Sequence, residues 1–172
     1  MTMSPKLFLT GWYALRYVLS GGGVAPFMEQ MVCEVMESGD QRVFLSKLLP
    51  LYQRGLKALT ETLEQHREET GWEVESPQPG SAGESVGGFF LWLRLPSPLV
   101  ARDVVATAEA EHGVSAMVGE RTSPTAAAGE LVKDRLRLCF AYLDEADLIE
   151  GAHRLAAAVV SERRKASGSS AL

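Results

Sequence analysis

The stretch that most narrows the choice of fold is KDRLRLCFAYLDE, residues 133–145. Leu136, Leu138, Phe140 and Tyr142 fall on one side at period two, and Arg135, Arg137, Cys139 and Ala141 on the other. That alternation is the mark of a strand with one buried face. Such a strand needs neighbours in a sheet and a second layer over its apolar side. It also carries Arg137 in its middle. On the residues alone two readings stay open: the arginine face is wet, or one arginine is aimed at a carboxylate.

A second strand is strongly indicated in GGFFLWLRLP, with Phe90, Trp92 and Arg94 on one face and Phe89, Leu91, Leu93 and Leu95 on the other. Pro96 and Pro98 stop it, because proline cannot donate to a ladder. GWEVES and VSAMV read as shorter strands, and SPQPGSAGESVG (76–87) between the first two as a connector. LVARDVVATAEAEHGV reads as a helix and GERTSPTAAAGELVKD as a polar loop. A last helix starts at an Asp144 cap and lines Leu148, Ile149, Ala152, Leu155, Ala156 and Val159 along one side.

Two helices come first. Phe27, Met28, Met31, Val32, Val35 and Met36 recur at helical spacing up to Gly39, a C-cap candidate. Asp40 is positioned to cap a longer helix running as far as Glu68, with Pro50 inside it as a kink site. The order α, long α, β, β, α, β, β, α predicts an α/β chain in the broad sense, an α+β two-layer lobe with a long bridging helix. The expected divisions are an atypical segment over 1–19, a helical bridge over 20–70, a small domain over 71–162 and a flexible tail over 163–172, with Arg163, Arg164 and Lys165 beside its frayed end.

Composition limits the function. The 172 residues carry a net charge of -5, which speaks against a nucleic-acid partner. Cys33 and Cys139 both sit in apolar surroundings and read as packed free thiols in a reducing compartment. The histidines His66, His112 and His153 are scattered, and no metal-ligand spacing is present. LFLTGWYALRYVL imitates a secretory signal, but Arg16 interrupts it and it is too short to span a bilayer. The expected location is cytoplasmic, with no membrane partner. The terminal Ser-Ala-Leu lacks the lysine of a peroxisomal address.

No catalytic constellation emerges from spacing. SGGG (20–23) reads as a phosphate cradle or as a flexible turn, and the paired Gly87 and Gly88 as a bulge or as backbone passing close to another group. Taken in order, however, SGGGVAPF, LYQRGLKALTETL, GGFFLWLRLP, HGV and LRLCFAYLDEADLIEGAHRLA resemble the C-terminal portion of class I/II aminotransferases of PLP fold type I, in the aminoadipate/kynurenine-type branch. The resemblance covers roughly residues 20–160. It implies a small C-terminal domain and a pyridoxal 5'-phosphate cofactor. It also implies amino-acid and 2-oxo-acid substrates and a homodimeric enzyme. In that family the last strand carries R-L-x-F, whose arginine pairs with the substrate α-carboxylate, and Arg137 of RLCFA matches it. Gly88 and Phe89 correspond to pocket wall, with the choice between Phe89 and Phe90 as the facing ring left open.

The family's Schiff-base lysine and ring-binding residues belong to a large domain that precedes the matching region, and the expectation is that this chain starts too late to contain it. Lys6 in MSPKLF invites comparison with the family's S-x-S-K motif, but proline stands at the second serine and no P-G-x-R follows. The expected function is therefore the carboxylate-binding part of a transaminase. Its rivals are a catalytically inactive remnant that binds a protein partner, and a secreted or membrane-attached domain.

Overall fold

The computed structural model describes residues 26–75 and 88–169. Residues 1–25, which hold Lys6 and the signal-like run, the connector 76–87 and residues 170–172 lie outside the described part. The elements in chain order are α1 (Pro26–Ser38), α2 (Asp40–Gln65), α3 (Arg67–Thr70), β1 (Glu73–Glu75), β2 (Phe90–Arg94), α4 (Ala101–His112), β3 (Met117–Val118), α5 (Ala126–Glu130), β4 (Arg135–Cys139) and α6 (Glu145–Ser169). A 3-10 turn covers Gly119–Thr122. No helix among the described residues is long and apolar enough to cross a membrane.

The chain divides into two compact units, Met1–Leu48 and Leu49–Leu172. The division falls inside α2, close to Pro50, and not at the end of the helical bridge near residue 70. The reason is local to the larger unit: Leu59 and Leu63 are buried in its core, so the second half of α2 belongs to that unit's packing.

In the smaller unit α1 ends at Gly39, whose φ of 80° is a left-handed C-cap conformation that costs glycine little. The Gly39 carbonyl accepts from the Val43 amide, so Asp40 is the first residue of α2 and not its cap. Every described side chain of α1 is exposed.

The larger unit is built on a four-stranded, wholly antiparallel sheet in the order β1-β2-β4-β3, so the two-layer α+β reading holds. β2 and β4 pair Phe90 with Cys139, Trp92 with Arg137 and Arg94 with Arg135. Paired residues share a face. One face presents Leu91, Leu93 and Leu136 to a core completed by Val104 and Ala108 of α4 and by Leu155, Ala156 and Val159 of α6. Trp72 is buried against this core, its indole N–H satisfied by the Leu63 carbonyl at 2.9 Å. Asp144 caps α6, its Oδ1 accepting from the Asp147 amide at 2.9 Å.

Several expectations change. β4 ends at Cys139, so Tyr142 leaves the buried face and is 90% exposed. α6 runs to Ser169, and Arg163, Arg164 and Lys165 are helical instead of lying in a frayed tail. Arg163 donates to the Glu69 carbonyl, and Lys165 reaches Glu162 at 2.7 Å; these bonds hold the last turns. The segment 119–134 contains the 3-10 turn and α5, which Thr125 caps through the Ala128 amide. Cys33 and Cys139 are exposed, not packed: every described side chain of α1 is exposed, and Cys139 lies at the end of β4 on the face turned away from the core.

Candidate functional site

The second face of the sheet carries three arginines. Arg94 and Arg135 stand directly opposite each other, an arrangement that like-charge repulsion disfavours. Carboxylates of β1 resolve it. Glu73 pairs with Arg94, and Glu75 bridges Arg135 at 3.1 Å and Arg94 at 3.9 Å. The Arg94 guanidinium bonded to Glu73 holds that carboxyl below the usual carboxylate range. Arg135, expected at the surface, is a half-buried member of this ion-pair ladder.

Arg137 differs. Among the described residues it makes no ion pair and no side-chain hydrogen bond, and its Nε is buried without a partner. Its Cζ lies 4.1 Å from the centroid of the Phe90 ring, a cation–π contact that leaves the guanidinium N–H groups unfilled. Neighbours in register are Trp92 on β2 and Met117 on β3. Arg137 is half-buried, and a buried Nε left without a partner costs free energy. An incoming carboxylate is the group whose geometry best completes it.

Arg137 lines a cavity of about 330 Å³ within the larger unit. β3 is two residues long and pairs only with Arg137 and Leu136, so the end of β4 is left open on that side. Phe90, Met117, Leu138, Leu143 and Leu148 form much of the wall, and Asp147 is its other charged residue. Cys139 also opens onto it.

Gly88 and Phe89 are not among the residues lining this cavity. Gly88 has φ 101°, a conformation that disfavours side chains, and no atom lies within 4 Å of where a Cβ would stand. The Phe89 ring meets Tyr52 of α2 edge-on at 5.5 Å, and its carbonyl accepts from the Phe140 amide at 3.0 Å. Of the two rings left open by the sequence, Phe90 is the one beside Arg137. Phe90 shares its face with Arg94 at period two, but only the register of β2 on β4 shows that Arg137 falls there as well. The separate approach of His66 to His153, Nε2 to Nδ1 at 2.6 Å, was not legible in their spacing. Among the described residues no group of three or more side chains is placed to hold a metal ion.

No protein-family model and no curated protein sequence matches the chain. Solved structures do. The multiple substrate aminotransferase of Thermococcus profundus is 26% identical with a TM-score of 0.64, over 77% of this chain and 29% of its own. The kynurenine aminotransferase of Pyrococcus horikoshii, solved with PMP, KYN as substrates and KYA as products, is 27% identical with a TM-score of 0.62, over 74% and 28%. The α-aminoadipate aminotransferase LysN of Thermus thermophilus, complexed with N-(5'-phosphopyridoxyl)-L-leucine, is 26% identical with a TM-score of 0.57, over 73% and 28%.

The fold is that of an aminotransferase segment. The chain spans under a third of the length of each of these enzymes. Pyridoxal phosphate is implied at that level. The described residues put a guanidinium at the cavity, but none of the lining residues is a lysine that could carry the cofactor as an imine. Among the described residues the cavity thus combines one guanidinium with a largely apolar wall.

Proposed function

We propose that this chain is the carboxylate-binding, C-terminal part of a PLP-dependent aminotransferase that moves an amino group from an amino acid to a 2-oxo acid. The observation that carries the reading is the contrast among the three arginines: two have carboxylates of their own chain, and Arg137 has none among the described residues. A substrate carboxylate accepting two parallel N–H bonds from Arg137 would orient the substrate, which is catalysis by positioning. Phe90 would hold the guanidinium flat. A cytoplasmic enzyme working as a homodimer accords with this reading.

The test begins with the protein from its source, reduced with borohydride and weighed intact. A pyridoxyl adduct on the assembly containing this chain is expected. Arg137→Lys should then keep the adduct and lower kcat/KM for the amino donor roughly a hundredfold, the equivalent of about 3 kcal/mol of charge-assisted bonding. Turnover unchanged in Arg137→Lys would overturn the assignment. A second reading, a catalytically inactive module that binds a protein, is favoured by one observation: Phe27, Met28, Met31, Val32, Val35 and Met36 of α1 are all exposed. An intact mass of 18.7 kDa with no adduct would favour it.

A further inference from the structure

We infer that the Arg137 cavity selects a monocarboxylate with an apolar body and rejects a ligand bearing a second carboxylate at its far end. The inference rests on Arg137 as the carboxylate anchor and adds the class of the rest of the ligand.

The charges of the cavity carry it. Its charged lining residues are Arg137 and Asp147. With one carboxylate on Arg137, no second cation among the described residues lines the space. The nearest other arginines on that face of the sheet, Arg94 and Arg135, are held by Glu73 and Glu75. Asp147 would meet a distal carboxylate with like charge. Its amide is tied to Asp144 at 2.9 Å at the start of α6, which fixes the residue's backbone where it lines the cavity. The remaining wall is largely aliphatic or aromatic, from Phe90, Met117, Leu138, Leu143, Leu148 and Leu155. A hydrocarbon body gains by leaving water against such a wall, whereas an ionised end group would be stripped of water with nothing to replace it. A volume of about 330 Å³ accommodates a small branched or aromatic body.

The experiment measures binding of three simple acids to the full 172-residue chain by amide and methyl shifts in NMR titration. The probes are acetate, 4-methylpentanoate and pentanedioate. The last two share a chain of five carbons and differ in the far end. 4-Methylpentanoate is expected to bind at least roughly tenfold more tightly than pentanedioate, because the latter's second carboxylate would lose water with no cation to replace it. Acetate should be weaker than 4-methylpentanoate. Arg137→Gln should abolish binding of all three while leaving the rest of the spectrum in place. Asp147→Asn should narrow the gap severalfold by improving pentanedioate alone.

Equal or tighter binding of pentanedioate, together with loss of both in Arg137→Gln, would overturn the selectivity and leave the carboxylate anchor standing. Binding that survives Arg137→Gln would overturn the anchor itself and the inference with it. No binding by any probe would overturn both. An unchanged gap in Asp147→Asn would overturn the role given to that residue.

Discussion

Glu75 sits between two arginines that face each other across the ladder. The three side chains remain partly open to water, so Coulomb attraction is screened and the ladder's contribution is small. Replacing Glu75 with Gln should lower stability by about 1 kcal/mol, read from urea unfolding, and the loss should shrink in high salt. Glu73 supplies the pH dependence. Its folded pKa is depressed by Arg94, so its contribution is present above the unfolded value and is lost as pH falls through the folded one. Thermal midpoints measured from neutral to acid pH should therefore decline, and Glu73→Gln should flatten that decline. Arg137 belongs to the same strand face but not to this network. Its spacing in the sequence is that of Arg135, and nothing in RLRLC says which of the two has a partner.

Two single positions hold the elements around the site. Gly55 of α2 is buried, and a Cβ there would come within 2.7 Å of the Phe140 carbonyl just past β4. Gly55→Ala should cost about 1–3 kcal/mol through overpacking, seen as a lower urea midpoint with little change in slope. A milder result would mean that the end of β4 can yield. Removing the α6 cap with Asp144→Ala should cost about 1 kcal/mol by the same measurement, and its effect should reach Asp147 and Leu148 on the cavity wall. The cap was legible as an aspartate ahead of an apolar periodic run. The glycine was legible only as an anomaly inside a helical pattern, since its partner lies far along the chain. Between α4 and α6, the Thr107 hydroxyl donates to Glu162 at 2.6 Å, and Lys165 reaches the same carboxylate. Burial pushes the Glu162 carboxyl up, but the bonds from Lys165 and Thr107 outweigh it and leave it below its ordinary value. This clamp explains why α6 extends where a polar, Ser/Gly-containing ending suggested a frayed tail.

Across the whole molecule, burial is uneven. Among the described residues the buried core lies between Leu59 and Val159, whereas α1 and the first part of α2 expose Phe27, Met31, Val35 and Phe44. Amides of residues 27–48 should exchange with deuterium well before those of Leu91, Leu93 and Leu136, because opening them exposes little new apolar surface. Slow exchange there in the protein from its source would mean that another surface covers those helices. Alternation and helical periodicity determined much of the architecture from the sequence by itself: the strands around Leu93 and Leu136, the apolar stripe of α6 and the Gly39 stop. These are local properties, set by which side chains recur at period two or 3.6 along one stretch of backbone. What only the tertiary structure decided is non-local. The register of β2 on β4 puts Trp92 across Arg137 and Phe90 diagonally beside it on the same face, β1 delivers Glu73 and Glu75 to two of three arginines, and the short β3 leaves an apolar cavity open beside the third. Those outcomes depend on which strands become neighbours and by what offset, a choice made by the packing of the whole core and written in no single stretch of residues.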